Sequence, residues 1–223
     1  MKKLSLVVVL LTMAITTFAQ EKDVTKFLGI PVDGTKTEMI AKLKEKGYTL
    51  TSWDKDILEG EFNGTDVYVS VVTNNNKVYR IYVVDKNSKD EASIKTRFNI
   101  LCQQFMNNSK YTYSKDYSIP EDEDISYEML VNNKQYQAAF FQLPEKTGPK
   151  TSELADMFME LLQDSTATKE VKEAKRQEII EKALEASNEF NKLVWFMISE
   201  NYGKYYIAIF YDNVLNQANG DDL

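Results

Sequence analysis

The sequence predicts an α+β fold: a mostly antiparallel sheet, built from three hairpins, with amphipathic helices packed on one face. Runs of β-branched and aromatic residues come in neighbouring pairs, joined by Asn- or Gly-containing turns at 74–76, 132–133 and 200–203. Between these pairs, apolar residues recur every three or four positions, which is the spacing of a helix. Because hairpins join adjacent antiparallel strands, we expect an antiparallel sheet rather than a βαβ arrangement.

Two capping boxes predict the helices of the first half. Thr35 and Glu38 fit a box in which the threonine hydroxyl accepts from the Glu38 N–H while the carboxylate reaches back, and Gly47 suits the end of that helix. A second box at 88–91 precedes a helix that ends near Asn107. The apolar face of this second helix consists of Ile94, Phe98, Leu101, Cys102 and Phe105.

The remaining elements follow from alternation and from turn residues. Predicted strands or extended segments are 58–62, 66–73, 77–85, 111–118, 125–131, 134–143, 193–199 and 204–212. Two further helices are predicted at 154–162 and at 169–187. In the first hairpin, a two-residue turn at Asn75-Asn76 would pair Val72 with Tyr79.

One spacing raises the question of an internal duplication. Lys77, Tyr79 and Asp85 recur at a constant offset as Lys204, Tyr206 and Asp212. A diverged duplication explains this recurrence, and so does the shared chemistry of strand starts, where Lys and Tyr are favourable. The sequence leaves both explanations open.

The N-terminus has the features of a signal peptide. Lys2 and Lys3 form a short basic region, and the apolar run from Leu4 to Thr17, about 14 residues, is short for a membrane-spanning helix. Thr17 and Ala19 are small residues that predict cleavage after Ala19. No later apolar segment is long enough to span a bilayer. We therefore expect an exported protein, periplasmic or extracellular, with no transmembrane segment after cleavage.

The rest of the chain is expected to form two α+β subdomains, at 20–118 and 119–212, or one continuous domain, followed by a disordered tail at 213–223. The charge balance becomes acidic near the boundary between the two halves, and the whole chain has a net charge of −7. An acidic protein without a basic stripe is a poor partner for nucleic acid, because contacts to phosphate dominate that affinity.

The composition excludes many catalytic mechanisms. There is no histidine and only one cysteine, Cys102, so His-dependent triads and dyads, His-ligated metals, cysteine clusters and intramolecular disulfides are ruled out. Cys102 is expected to be a small buried residue of the second helix. The chain also contains no P-loop, nucleophile elbow or dinucleotide-binding motif. We predict a protein that is not an enzyme and that has no catalytic residues, metal site or cofactor.

Tyrosines supply the candidate binding residues. Tyr111, Tyr113 and Tyr117 alternate with Ser and Lys in one segment, and strand alternation would place the first two on one face. Tyrosine offers a large contact area with one polar tip, which suits protein interfaces and stacking on sugars. The alternative is that these tyrosines pack against the core of an ordinary strand.

Paired carboxylates are the acid–base apparatus that this composition still permits. Glu59 and Glu61 lie two apart on a predicted strand and share a face, opposite the core-facing Leu58 and Phe62. Such a pair could serve a hydrolase acting on glycan or peptidoglycan. The acidic loop at 121–124 matches no EF-hand spacing and is expected to be solvated.

Two segments carry a family resemblance. The signal ends in Thr17-Phe18-Ala19-Gln20, and 28–35 reads Leu-Gly-Ile-Pro-Val-Asp-Gly-Thr, while 72–79 reads Val-Thr-Asn-Asn-Asn-Lys-Val-Tyr. These features resemble small exported proteins of the Bacteroidota to which no function is assigned. The chain is also similar, more weakly, to beta-lactamase-inhibitor-like and small outer-membrane-assembly folds, which implies binding of proteins rather than turnover of substrates.

The sequence thus predicts an exported, non-enzymatic binding or protein-interaction module of the bacterial cell envelope, with an envelope protein or a glycan as partner. The alternative is a carboxylate-dependent hydrolase of glycan or peptidoglycan. A third possibility is an assembly component that pairs with itself through a sheet edge or through the apolar strand containing Trp195.

Overall fold

The computed structural model describes residues 23–143 and 192–218, Thr168, and six helical residues between 171 and 178. Those six residues fall within the helix predicted at 169–187. The predicted signal peptide, the helix predicted at 154–162 and the rest of the 169–187 helix lie outside the described residues.

The described elements are ten strands, three α-helices and one 3₁₀ helix. The strands are β1 (Lys26–Phe27), β2 (Ile30–Pro31), β3 (Thr49–Leu50), β4 (Ile57–Phe62), β5 (Thr65–Asn74), β6 (Lys77–Asp85), β7 (Tyr111–Thr112), β8 (Gln137–Gln142), β9 (Lys192–Asn201) and β10 (Lys204–Asn213). The helices are α1 (Lys36–Glu45), α2 (Glu91–Met106), α3 (Ile125–Val131) and the 3₁₀ helix Val214–Asn216.

Eight strands form one antiparallel sheet in the order β3-β4-β5-β6-β10-β9-β8-β7, and β1 with β2 forms a separate ribbon. This confirms the predicted α+β class with a mostly antiparallel sheet. The sheet runs through both halves of the chain, because β6 of the first half pairs with β10 of the second, for example Ile81 with Tyr211. Both edge strands are only two residues long and pair with only two residues of their neighbours, β4 and β8.

The first predicted hairpin is present, with a shifted register. Asn75 and Asn76 both have positive φ, 46° and 61°, as a two-residue turn between β5 and β6 requires. The predicted pairing of Val72 with Tyr79 is wrong, because Val72 pairs with Arg80. The cause is a β-bulge. The next pair in the ladder is Thr73 with Val78, so Tyr79 is an extra residue on β6 without a partner in the ladder. The third hairpin, β9–β10, turns at Tyr202 and Gly203.

The second predicted hairpin is wrong, since its first strand is helix α3. The Asp124 side chain accepts from the Tyr127 N–H at 2.8 Å and caps this helix. Asn132 ends it, and Asn133 follows with a φ of 52°. A short apolar run does not distinguish helix from strand, and here the capping aspartate decides. The segment predicted to be extended at 111–118 contributes only β7.

The cap of α1 is confirmed and that of α2 lies two residues later than predicted. Thr35 and Glu38 form the reciprocal capping box of α1. Helix α2 begins after Asp90, whose side chain accepts from the Ser93 N–H at 2.8 Å, and not after Ser88. The predicted apolar face of α2 is buried in full, namely Ile94, Phe98, Leu101, Cys102 and Phe105.

The core lies between the helices and one face of the sheet. Alternate residues of the central strands point into it, including Val69 of β5, Val83 of β6 and Ile209 of β10, which sit side by side in register. Residues 213–216, assigned to the tail by the sequence, continue β10 and form the 3₁₀ helix. The Asn216 amide donates to the Val78 carbonyl at 2.9 Å and holds this end against β6.

The opposite face of the sheet carries a cluster of aromatic and charged side chains. Asp212 accepts from Arg80 through both carboxylate oxygens, at 2.6 and 2.8 Å, and from the Trp195 indole N–H at 3.0 Å. Trp195 stacks on Phe210 with ring centroids 3.9 Å apart. Trp195 belongs to β9, which is an internal strand paired on both sides. It does not lie at an edge of the sheet.

One of the three residue pairs at the repeated offset, Asp85 and Asp212, faces opposite sides of the sheet. Asp85 shares the core face with Ile81 and bonds to Arg97, whereas Asp212 lies on the other face. The recurrence in sequence therefore does not place these two aspartates in equivalent environments, whereas Lys77 and Lys204 are both exposed at the start of the second strand of a hairpin.

Candidate binding site

A cavity of about 940 Å³ opens between the β1–β2 ribbon, helix α2 and the β7–β8 edge of the sheet. Its size is within the range of small-molecule sites. Residues from both halves of the chain line it, from Val24 in the N-terminal segment to Tyr211 in β10. We call it the ribbon cavity.

The ribbon forms one wall and is anchored through Phe27. The Phe27 ring is fully buried and lies 4.9 Å from the Tyr211 ring and 5.3 Å from the Phe62 ring, measured between centroids. Leu28 and Gly29 both have positive φ and form the turn that returns the chain as β2. Both turn residues line the cavity. Burial of this aromatic side chain therefore packs the wall against the core.

The C-terminal half of α2 forms the facing wall. Leu101, Gln104, Phe105 and Asn108 line the cavity, and their spacing of three and four residues places them on one face of the helix and its end. The Phe105 ring lies 4.8 Å from the Tyr111 ring in an edge-on contact. This wall is apolar at its base and polar at its rim.

A hydrogen bond crosses the rim between two elements. Asn63, in the turn between β4 and β5, donates from its amide to the Gln104 side-chain oxygen at 2.6 Å. Its φ of 52° is one that asparagine tolerates better than most residues. The bond joins the first sheet half to α2 beside the cavity.

The end of the cavity near β7, β8 and β9 is polar. The Gln142 amide nitrogen donates to the Tyr111 hydroxyl at 3.0 Å and to the Lys26 carbonyl at 2.7 Å, while its oxygen accepts from the Lys26 N–H at 2.7 Å. Gln142 thereby ties the ribbon to the sheet edge. These bonds also fix which way its amide faces.

The Tyr111 hydroxyl belongs to the polar end of the cavity. Its oxygen accepts from Gln142 and is also in hydrogen-bonding contact with the hydroxyl of Tyr211. Burial raises the pKa of Tyr111 and raises that of Tyr211 well above its ordinary value, so both are neutral at neutral pH.

Three lysines line the cavity. Lys192 is 3% exposed at the side chain; its ammonium group pairs with the Asp23 carboxylate and donates to the Leu143 carbonyl at 3.3 Å. Lys26 and Lys110 are the other two, and Lys110 is exposed. Glu61 is the acidic residue among the lining residues. The lining residues thus include three lysines and one glutamate, and one of those lysines, Lys192, is paired with a carboxylate.

The structure separates the three predicted binding tyrosines. Tyr111 lines the ribbon cavity. Tyr113 and Tyr117 instead pack on Phe140, with ring centroids 5.9 and 5.7 Å away, and Tyr113 is buried. The alternation that would place Tyr111 and Tyr113 together ends because β7 stops at Thr112. The three tyrosines do not form one surface.

The regular register of β4 keeps Glu59 and Glu61 on one face of the strand, as predicted, but Glu59 is engaged by a lysine. The Glu59 carboxylate accepts from the Lys86 ammonium at 2.6 Å, on the sheet face away from the core and beside Tyr68. Glu61 lies at the ribbon cavity, and its carbonyl accepts from the Tyr48 hydroxyl at 3.0 Å.

Sequence reasoning missed the polar end of the cavity. Gln142 and Lys192 stand at the two ends of the connection between β8 and β9, and no motif marks either of them. Their shared location depends on pairing of strands far apart in sequence. The sequence does contain one signal for Lys192. This lysine directly precedes a continuous apolar strand, so its charge had to lie at the exposed end of the strand or be paired with a carboxylate.

Comparisons with protein-family models, with curated proteins and with solved structures find no match. Within residues 23–143 and 192–218 and the described part of 168–178, no group of three or more Cys, Asp or Glu side chains could hold a metal ion. No helix in that part of the chain is long and apolar enough to cross a membrane.

Proposed function

We propose that the chain is an exported, non-enzymatic binding module of the bacterial cell envelope and that the ribbon cavity holds its ligand. One observation carries the proposal: a cavity of about 940 Å³ with apolar walls and a few convergent polar groups, among them Tyr111. Such a combination is the usual form of a small-molecule site. Export rests on the predicted signal peptide that ends at Ala19.

Nothing in the described residues favours the hydrolase alternative. That activity needs two carboxyl groups facing one another across a cleft. The Glu59 carboxylate is bound to Lys86 and does not line the cavity. Glu61 therefore has no second carboxylate opposite it among the described lining residues.

The proposal is tested by native mass spectrometry of the protein purified, without denaturation, from the envelope of the bacterium that encodes it. We expect a bound small molecule or glycan of discrete mass. Ser109→Trp places a large ring at an exposed lining position of the cavity and should remove the bound mass. Ser118→Trp, at an exposed serine away from the cavity, is the matched control and should retain it.

Cross-linking of intact cells tests the protein-partner form of the same proposal. A single envelope protein captured by wild type and by Ser118→Trp, and lost with Ser109→Trp, would mean that a protein segment occupies the cavity. Absence of any bound mass and of any partner in all three proteins would refute the proposed function.

A further inference from the structure

Helix α3 carries apolar side chains on two sides. Ile125 is fully buried, and Met129, one turn later, packs against the core from a partly buried position. Tyr127, Leu130 and Val131 are instead 53%, 83% and 52% exposed. Their spacing of three and four residues places them together on the other side of the helix. The core therefore uses one side of α3 and leaves an exposed apolar surface on the other, which we call the α3 patch.

A highly exposed tyrosine lies at the same end of the sheet. Tyr202, in the β9–β10 turn, is 97% exposed. Three residues later, the Tyr205 hydroxyl is 2.7 Å from the Ser126 hydroxyl of α3. Single exposed apolar residues are ordinary, whereas several of them at one end of a protein are typical of an interaction surface.

Hydrogen bonds hold α3 in place beneath the patch. Glu91, in the first turn of α2, accepts from the Ile125 N–H at 2.8 Å and from the Ser126 hydroxyl. The Lys95 ammonium group, also on α2, donates to two carbonyl oxygens of the loop before α3, at 2.7 and 2.5 Å. A surface fixed in this way loses little conformational freedom when a partner binds.

The α3 patch is separate from the ribbon cavity. Helix α3 is bonded to the first turn of α2, whereas the cavity is lined by the C-terminal half of α2. Because a helix rises about 1.5 Å per residue, Glu91 and Phe105 are about 20 Å apart. An inference about the patch therefore does not rest on the function proposed for the cavity.

The surroundings of the α3 patch are acidic. Residues 121–134 contain five carboxylates and one lysine. Asp124 and Glu128 lie three residues before Tyr127 and Val131, which places both carboxylates along one flank of the patch. Lys95 adds a second positive charge, and the balance around the patch stays negative.

This charge discriminates between the possible occupants of the patch. A second copy of the chain, whose net charge is −7, would bring the same carboxylates against those of the first. A membrane surface with anionic lipids would be repelled for the same reason. A protein segment with Lys or Arg beside an apolar face complements both the patch and its flank.

We infer that the α3 patch docks a cationic amphipathic helix of another protein, with the apolar face of that helix on Tyr127, Leu130 and Val131. Its basic residues would then lie along Asp124 and Glu128.

Fluorescence anisotropy tests the inference with a labelled amphipathic peptide of leucine and lysine, and with the same peptide carrying glutamate in place of lysine. Both peptides are titrated with the full mature chain. We expect the lysine peptide to bind at least about tenfold more tightly. The difference should shrink as salt is raised, because exposed charges are screened.

A serine substitution tests the apolar part of the patch. Leu130→Ser should weaken binding of the lysine peptide about tenfold, because it removes the most exposed member of the patch. Leu215→Ser is the matched control, since Leu215 is 47% exposed and follows the far end of β10. It should leave the affinity unchanged. Both leucines are exposed, so both variants should fold.

Neutral substitutions test the acidic flank. Glu128→Gln and Asp122→Asn should each weaken binding of the lysine peptide about threefold, the effect of one exposed charge. Glu45→Gln, at an exposed glutamate at the end of α1, is the matched control and should leave the affinity unchanged.

Equal affinities for the two peptides, equal affinities of wild type and Leu130→Ser, or no binding of the lysine peptide would overturn the inference. So would a dimer in sedimentation that Leu130→Ser dissociates, which would make a second copy the occupant. Adsorption to phosphatidylcholine vesicles that Leu130→Ser abolishes would overturn it in favour of lipid. Ser109→Trp, at the ribbon cavity, should leave peptide binding unchanged, so this inference and the proposed function can fail independently.

Discussion

Substituting Asp212 by asparagine should strongly destabilise the protein, because it breaks the buried ion pair on the second face of the sheet. The Asp212 side chain is 3% exposed and takes three hydrogen bonds, two from Arg80 and one from Trp195. Asparagine has nearly the same shape but replaces one acceptor oxygen by an amide that donates. One donor of Arg80 or Trp195 would then face another donor.

The magnitude follows from the exposure of the two partners. Removing one member of a buried ion pair costs about 3–5 kcal/mol, since the remaining charge stays desolvated. Arg80 is 26% exposed and recovers part of its hydration, so we expect the lower end, about 3 kcal/mol. With a urea dependence of about 2–3 kcal/mol per molar for a domain of this size, the unfolding midpoint should fall by about 1 M.

Urea unfolding followed by tryptophan fluorescence measures this shift, and Trp195 reports directly on the cluster. Asp56→Asn is the matched control, because Asp56 pairs with Lys36 at 3.0 Å but is 69% exposed. That substitution should move the midpoint by less than about 0.3 M. Equal shifts for the two variants would refute the argument that burial of the pair sets its contribution.

One reaction and one further substitution test the packing of the core. Burial raises the pKa of the Cys102 thiol to about 12, so a thiol reagent at pH 8 should label the native protein at least about 100-fold more slowly than the urea-unfolded chain; equal rates would contradict its burial. Gly60→Ala would place a methyl group 2.7 Å from the buried Tyr48 ring, so it should lower the free energy of unfolding by about 1–3 kcal/mol, measured by urea unfolding. An unchanged midpoint would mean that Tyr48 moves freely.

The elements that the sequence predicted correctly are those with local signals. The cap of α1, the buried face of α2 and the turns at Asn75-Asn76 and Tyr202-Gly203 are all set by residues within a few positions of one another. Segments whose structure depends on more than such local signals were predicted less well. The run 125–131 has strand-like composition but follows a capping aspartate, Asp124, and the bulge at Tyr79 depends on pairing that sequence alone does not specify.

The candidate site was predictable only in part for the same reason. Tyr111 was chosen for its chemistry, and it does line the cavity, but its companions Tyr113 and Tyr117 pack elsewhere. Gln142 and Lys192 acquire their roles from contacts with Lys26 and Asp23, more than 100 residues away along the chain. The residues of this site come from the sheet and from the N-terminal ribbon, so no single segment of the sequence contains a motif for it.

The ribbon connects stability to binding, because the same short segment completes the core and forms a wall of the cavity. Phe27 packs against Tyr211 and Phe62, while the Thr25 hydroxyl donates to the Asp212 carbonyl and the Thr25 carbonyl accepts from the Val32 N–H. Detachment of the ribbon would expose Phe27 and open the cavity at once. Any ligand that binds only the closed form must therefore stabilise the docked ribbon by an amount that grows with the ratio of its free concentration to its Kd. Affinity at the cavity and protection of the ribbon backbone from hydrogen exchange are, on this reasoning, two measures of one equilibrium.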